Sequence, residues 1–324
     1  MDWITLTGGE DPRAVLAPEA FLAQTELCTS VWSAADGELL ELARTRIATL
    51  LRNPEAADRR PSGAPGVPEG KVASLADWPT SPLFSETERV ALSFTERFVI
   101  DVAGIGDADR AALFAQLPPE QVGGFVIGLY AFDYERRTEL AIGRLFDVRE
   151  MGPGTADDRG DLGDGPALSL QFDELMKTIA RMDALDPVTT ELVRLRGARQ
   201  HNCRICQSTR SVQAISAGAD ESMFTKIDWY ETTDLPERHK VALRLTDAVI
   251  TQPTEITPEL VVQVRKYFEP REVVEMVFDI LRNSAQKVAV ALAADDAHVT
   301  EGVEYYDLAE DGDVLFGREA PVTV

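Results

Sequence analysis

Glu191-Leu192-Val193-Arg194-Leu195-Arg196 repeats, 150 residues on, the stretch Glu41-Leu42-Ala43-Arg44-Thr45-Arg46. Landmarks on either side keep the same order. After a slip of one residue, Asp77-Trp78 falls on Asp228-Trp229 and Val90-Ala91-Leu92 on Val241-Ala242-Leu243. Thr95 then meets Thr246, and Pro119 meets Pro270. Trp and Pro are rare enough for these matches to indicate a duplication rather than shared composition. Around the landmarks the apolar residues step by three and four, as in Val273, Val274, Met276, Val277, Ile280 and Leu281 behind Pro270, which is the period of a helix. Ser85-Glu86-Thr87-Glu88 has the spacing of a capping box, and Thr257-Pro258 opens a further helix. Gly218 is placed to end the helix that begins near Cys203. No alternating strand pattern is found. The expectation is an all-α protein of two helical domains packed as an intrachain pseudo-dimer.

The boundaries follow. Residues 1–19 are read as an N-terminal arm and 20–150 as the first domain. Residues 151–167, rich in Gly and Asp, are the linker, 168–299 the second domain and 300–324 an acidic tail without periodicity. The chain has 324 residues, 44% apolar and 27% charged, with 55 acidic against 32 basic side chains and a formal charge of −23. Such a field disfavours nucleic acid and anionic membrane surfaces as partners. No apolar run approaches the roughly 20 residues of a membrane span. The start, Met1-Asp2-Trp3-Ile4-Thr5, lacks the basic and apolar regions of a secretory signal. With three cysteines only, a close pair is redox-active or metal-binding rather than structural. The expected location is the cytoplasm.

The chemistry is concentrated in Cys203-Arg204-Ile205-Cys206, with Glu191 twelve residues before the first thiol. Two cysteines three apart meet across one helical turn, and a carboxylate from the preceding helix is placed to act as base, because the thiolate is the nucleophile. In the repeat Cys203 aligns with Asn53 and Arg204 with Pro54, a cap followed by a first helical residue. Cys203 is therefore expected at the N-cap and Cys206 one turn inside, where backbone N–H groups favour negative charge. The first copy has Asn53 and Ala56 at the two thiol positions, followed by Pro61, Pro65 and Pro68, so it is read as a degenerate packing partner. Cys28, among Phe21, Leu22, Val31 and Trp32, is read as buried and inert.

Glu191…Cys203-Arg204-Ile205-Cys206, with Gln213-Ala214-Ile215-Ser216-Ala217-Gly218 closing the helix, resembles the AhpD-like alkylhydroperoxidase group of the carboxymuconolactone decarboxylase family. The resemblance covers residues of about 170–295 well and 20–148 weakly. It implies a dithiol that cycles with a disulfide, without flavin, metal or other cofactor. It further implies a small hydroperoxide or disulfide as substrate, a thiol carrier as reductant and homo-oligomers, here dimers or trimers of the two-domain chain. The family's motif continues to a His that relays a proton; that position is Arg210, and Ile205 stands where a second His can occur. Arginine does not deprotonate in proteins, so Arg210 keeps a charge role beside the thiolate and loses the acid–base one; the alternative is a partner for Glu191 or Glu41.

The expected site is thus Cys206 as the activated thiol, Cys203 as its resolving partner, Glu191 as base, Arg210 as thiolate stabiliser and His201 as an auxiliary base or a solvated loop residue. His201 with the two thiols makes an incomplete zinc set, since structural zinc takes four ligands, so no metal is expected. Two other readings stand beside the oxidoreductase. One is a decarboxylase-type lyase using Glu191, His201 or Arg210 on a small carboxylate-bearing lactone. The other is a non-catalytic redox-sensing module.

Overall fold

A computed structural model describes Trp3 and residues 10–54, 64–148 and 167–321. The first half contains α1 (Pro12–Leu16), α2 (Pro18–Ser30), α3 (Gly37–Leu50), α4 (Glu69–Ala73), α5 (Glu86–Ile100), α6 (Asp107–Gln116) and α7 (Pro119–Phe146). The second contains α8 (Leu168–Ala180), α9 (Pro187–Gln200), α10 (Arg204–Gln207), α11 (Val212–Ser216) and α12 (Glu221–Thr225). It continues with α13 (Glu237–Thr251), α14 (Pro258–Tyr267), α15 (Pro270–Ser284) and α16 (Lys287–Ala291). Strand β1 (Thr209–Ser211) lies between α10 and α11, and β2 (Glu304–Leu308) and β3 (Val314–Arg318) follow α16.

The helices recur in length as well as order. α2 and α8 have 13 residues each, α3 and α9 have 14, α5 and α13 have 15, and α6 and α14 have 10. The first two pairs start 150 residues apart and the others 151, which is the register and slip of the sequence repeat. Details that the residue names dictate recur too. Asp36 and Asp186 cap α3 and α9 by accepting from the N–H three residues on. Arg52 and Asn202 both turn through positive φ, at 56° and 52°, and close their helices with equivalent N–H to carbonyl bonds, Asn53 to Ala48 and Cys203 to Ala198, each 2.9 Å. The Arg46–Glu96 ion pair returns as Arg196–Asp247.

Equivalent helices face each other across the seam. α2 lies on α8 and α7 on α15, and one apolar cluster runs from Leu27 and Phe125 to Val277 and Phe278. Tyr130 on α7 donates to the Leu281 carbonyl on α15 at 3.1 Å. Helix ends are satisfied crosswise: Arg110 of α6 donates to the Ala291 carbonyl, and Arg265 of α14 to that of Leu145. A buried ion cluster joins the halves, with Asp133 between Arg137 of its own helix at 2.7 Å and Lys287 at 2.8 Å. Burial alone would raise the Asp133 carboxyl, but the two cations overcome it and hold the group below its ordinary value.

The two halves differ inside. Gly124 and Gly128 bring α7 against the first-half chain: a Cβ at Gly124 would lie 2.2 Å from the Ala34 carbonyl oxygen, and one at Gly128 2.6 Å from Leu40. The matching positions on α15 are Glu275 and Asp279, both buried. Glu275 accepts from the Ala184 N–H at 2.6 Å, and Asp279 is hydrogen-bonded to Thr190. Burial pushes Glu275 up to about 7, and burial together with the Glu275 charge pushes Asp279 up to about 8. An acid harder to ionise in the fold than in the unfolded chain stabilises the fold fully below its unfolded pKa near 4, and that contribution is lost as pH climbs through the folded value. Stability is expected to fall by on the order of a few kcal/mol between about pH 4 and pH 8 from this pair. Asp279→Asn should flatten the slope, and urea melts at several pH values check it; parallel slopes would contradict the assignment.

The helical expectation holds, with three additions. The fold is mostly helical but carries a three-stranded sheet, in which β1 pairs parallel with β2 and β2 antiparallel with β3. The region from 300, read as an acidic tail without periodicity, supplies two of those strands. Within the supposed arm 1–19, α1 forms and buries Arg13 and Leu16. The linker residues 151–166 lie outside the described residues. Among the described residues no helix is long and apolar enough to cross a membrane.

Candidate functional site: the Cys203–Cys206 turn

The turn after α9 is set by Asn202, whose left-handed backbone redirects the chain and leaves Cys203 as N-cap of α10. Cys203 and Cys206 are joined in a disulfide with Cα atoms 5.3 Å apart. Cys203 is completely buried and Cys206 is half-buried. Access therefore belongs to Cys206, the sulfur expected to be the activated thiol. α10 is one turn long, and Ser208 and β1 separate it from α11, so the helix expected to run from Cys203 to Gly218 is broken. Gly218, at φ 101°, follows α11 instead. The amides at the start of α10 are also assigned: Arg204 N–H donates to Asp295 Oδ2 at 2.8 Å and Ile205 N–H to the Asp295 carbonyl at 3.0 Å. What remains for sulfur is the Cys206 N–H, which donates to Cys203 Sγ at 3.3 Å. That bond favours a negative charge on Cys203.

Glu191, on α9, is 1% exposed. Its Oε1 accepts from Arg194 Nη2 at 2.7 Å and Ser211 N–H at 3.1 Å; its Oε2 accepts from Arg194 Nε at 2.7 Å and Tyr306 Oη at 3.0 Å. A carboxylate offers about four lone-pair positions, and here each is taken. Glu191, expected as a base, has in this arrangement no acceptor position left to receive a proton from a thiol. It is linked to the turn through Arg194, whose Nη1 donates to the Cys206 carbonyl at 2.8 Å and whose Nη2 donates to that of Thr209 at 2.8 Å. Burial opposes the Arg194 charge, but Glu191 and Tyr306 outweigh it and keep the guanidinium protonated. The first half repeats the pair as Arg44–Glu41, at 2.7 Å, where no thiols follow.

Arg210 and His201 have other surroundings than expected. Arg210 is bound by Glu221 at 2.7 Å and donates to the carbonyls of Gln207 and Thr209. It braces the chain beyond Cys206, and its ion pair is with neither Glu191 nor Glu41. Its counterpart Arg60 lies outside the described residues. His201 is 7% exposed rather than solvated. Burial, then Lys287 and Arg137, push it down to about 3, so it is neutral over the physiological range. Cys28 is buried on α2 as expected, its thiol against the Ala131 carbonyl.

Sequence reading missed Tyr306 and Asp295. The signal for Tyr306 was legible in part: Tyr305-Tyr306 followed by Asp311-Gly312 has the composition of a hairpin and its turn. Asp295 carries no such signal. Among the described residues no three His, Cys, Asp or Glu side chains gather as metal ligands.

Comparison with known proteins gives two close relatives. Uncharacterized protein MT2376 of Mycobacterium tuberculosis (strain CDC 1551 / Oshkosh) is 40% identical over 239 residues, covering 72% of this chain and 82% of that protein. Uncharacterized protein Rv2313c of Mycobacterium tuberculosis (strain ATCC 25618 / H37Rv) is 40% identical with the same coverage, 72% and 82%. No family model matches the chain, and no solved structure matches it.

Proposed function

The chain belongs to one family with these two Mycobacterium tuberculosis proteins, and for it we propose a dithiol–disulfide oxidoreductase that cycles at Cys203 and Cys206. The observation that carries this reading is the bonded pair itself, one sulfur half-buried and the other enclosed. In the oxidising half-reaction the Cys206 thiolate attacks the outer oxygen of a hydroperoxide, breaks the O–O bond and releases an alcohol, leaving a sulfenic acid. The Cys203 thiolate then displaces hydroxide, which leaves as water, and the disulfide forms. A small disulfide substrate follows the same path through a mixed disulfide. In the reducing half-reaction a thiol carrier attacks Cys206, and Cys203 leaves as a thiolate held by the Cys206 N–H. A second carrier thiol resolves the mixed disulfide. A stabilised leaving thiolate speeds that step.

The wider reading goes with this one. The repeated helix lengths and ion pairs support two AhpD-like domains forming an intrachain pseudo-dimer, the first degenerate. A reducing compartment such as the cytoplasm suits a reactive dithiol, and assembly into homo-oligomers follows from the resemblance. The lyase reading has less support, because Arg210 is already held by Glu221 and cannot meet a substrate carboxylate without leaving it.

Counting thiols by mass spectrometry after adding one equivalent of hydroperoxide or of a small disulfide to the reduced protein tests the proposal. Two thiols should disappear together, the product should carry the Cys203–Cys206 bond, and a thiol carrier should restore both. A pair that stays reduced, or that oxidises once and is never restored, would overturn it; the second outcome would favour a sensing module.

A further inference from the structure

The hairpin β2–β3 meets the redox turn at three places. β2 lies parallel to β1, Thr209 opposite Glu304 and Ser211 opposite Tyr306, starting three residues after Cys206. The Glu304 N–H donates to the Ser208 carbonyl at 2.8 Å. Tyr306 Oη reaches Glu191, and its ring lies under the Arg194 guanidinium at 5.2 Å. The far end of the hairpin is fixed separately, on α8. Gly312 turns at φ 90° with its Cα so near the helix that a Cβ would lie 2.4 Å from the Lys177 carbonyl oxygen. Lys177 also pairs with Asp313 at 3.0 Å, and Arg181 donates to the Asp311 carbonyl at 2.7 Å.

Resting on the oxidoreductase reading, we propose that Tyr306 is a positioning residue of the dithiol: its hydroxyl takes the last open acceptor position of Glu191 and thereby holds Arg194 on the Cys206 carbonyl. The chain of contacts is short. Without the hydroxyl, one Glu191 lone pair is left unmet in a buried site, which is costly. Arg194 is the donor at hand to meet it, and turning toward Glu191 draws it off the Cys206 carbonyl. The positive charge of Arg194 then lies farther from Cys206 and favours its thiolate less. Burial and Glu191 hold the Tyr306 proton on well above its ordinary range, so Tyr306 serves as a fixed donor throughout.

Of the other charged groups around the turn, Arg282 lies near enough for its charge to act on Tyr306, and it donates to the Met176 carbonyl. Arg204 is paired with Asp295 and Asp296. Arg210 is paired with Glu221, and Glu304 of the hairpin faces His298. None of them touches Tyr306, so a change at its hydroxyl is read against a constant background.

The test uses the full chain, reduced, and follows alkylation of Cys206 by iodoacetamide across pH by mass spectrometry. Tyr306→Phe should move the midpoint of the rate–pH curve up by about half a pH unit or more, a roughly threefold loss of rate below the midpoint. Tyr305→Phe, one residue away and without a bond to Glu191, should overlay the wild type. Gly312→Ala loosens the hairpin at its far end without touching the site and should shift the midpoint in the same direction. This variant decides the matter if Tyr306→Phe does not fold. Curves for Tyr306→Phe and Gly312→Ala that overlay the wild type overturn the proposal, even where their melting temperatures fall. A wild-type dithiol that never closes with an oxidant would instead sink the oxidoreductase reading, while these curves would still decide the placement of Tyr306.

Discussion

Cys206→Ser should abolish oxidant consumption, lowering turnover by about 100-fold or more, because it leaves only a sulfur that solvent does not reach. Cys203→Ser should stop turnover as well, yet differently. Cys206 remains half-buried and can still be attacked or oxidised, but no second sulfur follows to resolve the product. The two variants therefore separate in intact mass after a small disulfide is added: Cys203→Ser accumulates a stable mixed disulfide at Cys206, and Cys206→Ser stays largely unmodified. Equal labelling of the two would mean that burial does not assign the roles. Labelling of Cys203 ahead of Cys206 would reverse them.

The largest stability effect is expected at Asp133. It is 4% exposed and lies between Arg137 and Lys287, themselves 3% and 4% exposed. Removing the shared anion in Asp133→Ala leaves two buried cations facing one another, and breaking a buried pair in this way costs about 3–5 kcal/mol. Arg137 retains partial support, since it also donates to the carbonyls of Val249 and Ile250. Lys287 is left with the face of the Phe98 ring, 4.5 Å away, and burial already lowers its hold on the proton. In the variant Lys287 is therefore expected to shed its proton in the fold while keeping it unfolded. A depressed lysine pKa gives stability that rises with pH, because the unfolded chain binds more protons. The deficit should be larger near pH 6 than near pH 9, and chemical denaturation at both values measures it. A deficit below about 1 kcal/mol at pH 6 would show that the cluster contributes little.

What the sequence disclosed and what it withheld divide along physical lines. The repeat was legible because helix length and capping depend on local residues: Asp36 and Asp186, or Thr257 and Pro258, fix helix starts from within a few positions. The dithiol was legible because a spacing of three brings two cysteines together in any turn. The surroundings were not. Glu191 stood out by its distance from the cysteines, but its saturation depends on Ser211 N–H and on a hydroxyl from 115 residues away, which no local pattern encodes. Arg210 looked available beside the thiols until Glu221 was placed against it. His201 read as a loop residue because nothing local shows that Asn202 turns the chain and leaves the imidazole inward. Strands of three and five residues are too short to display alternation, so the sheet was missed although its turn residues were in view.

The dependence of the turn on Tyr306 also has a consequence in time. Translation delivers Glu191, Cys203 and Cys206 long before the residue that completes their setting. A nascent chain would carry both sulfurs through the synthesis of a further hundred or so residues before Glu191 acquires its fourth donor. Maturation of the centre is thereby tied to the arrival of the distal hairpin.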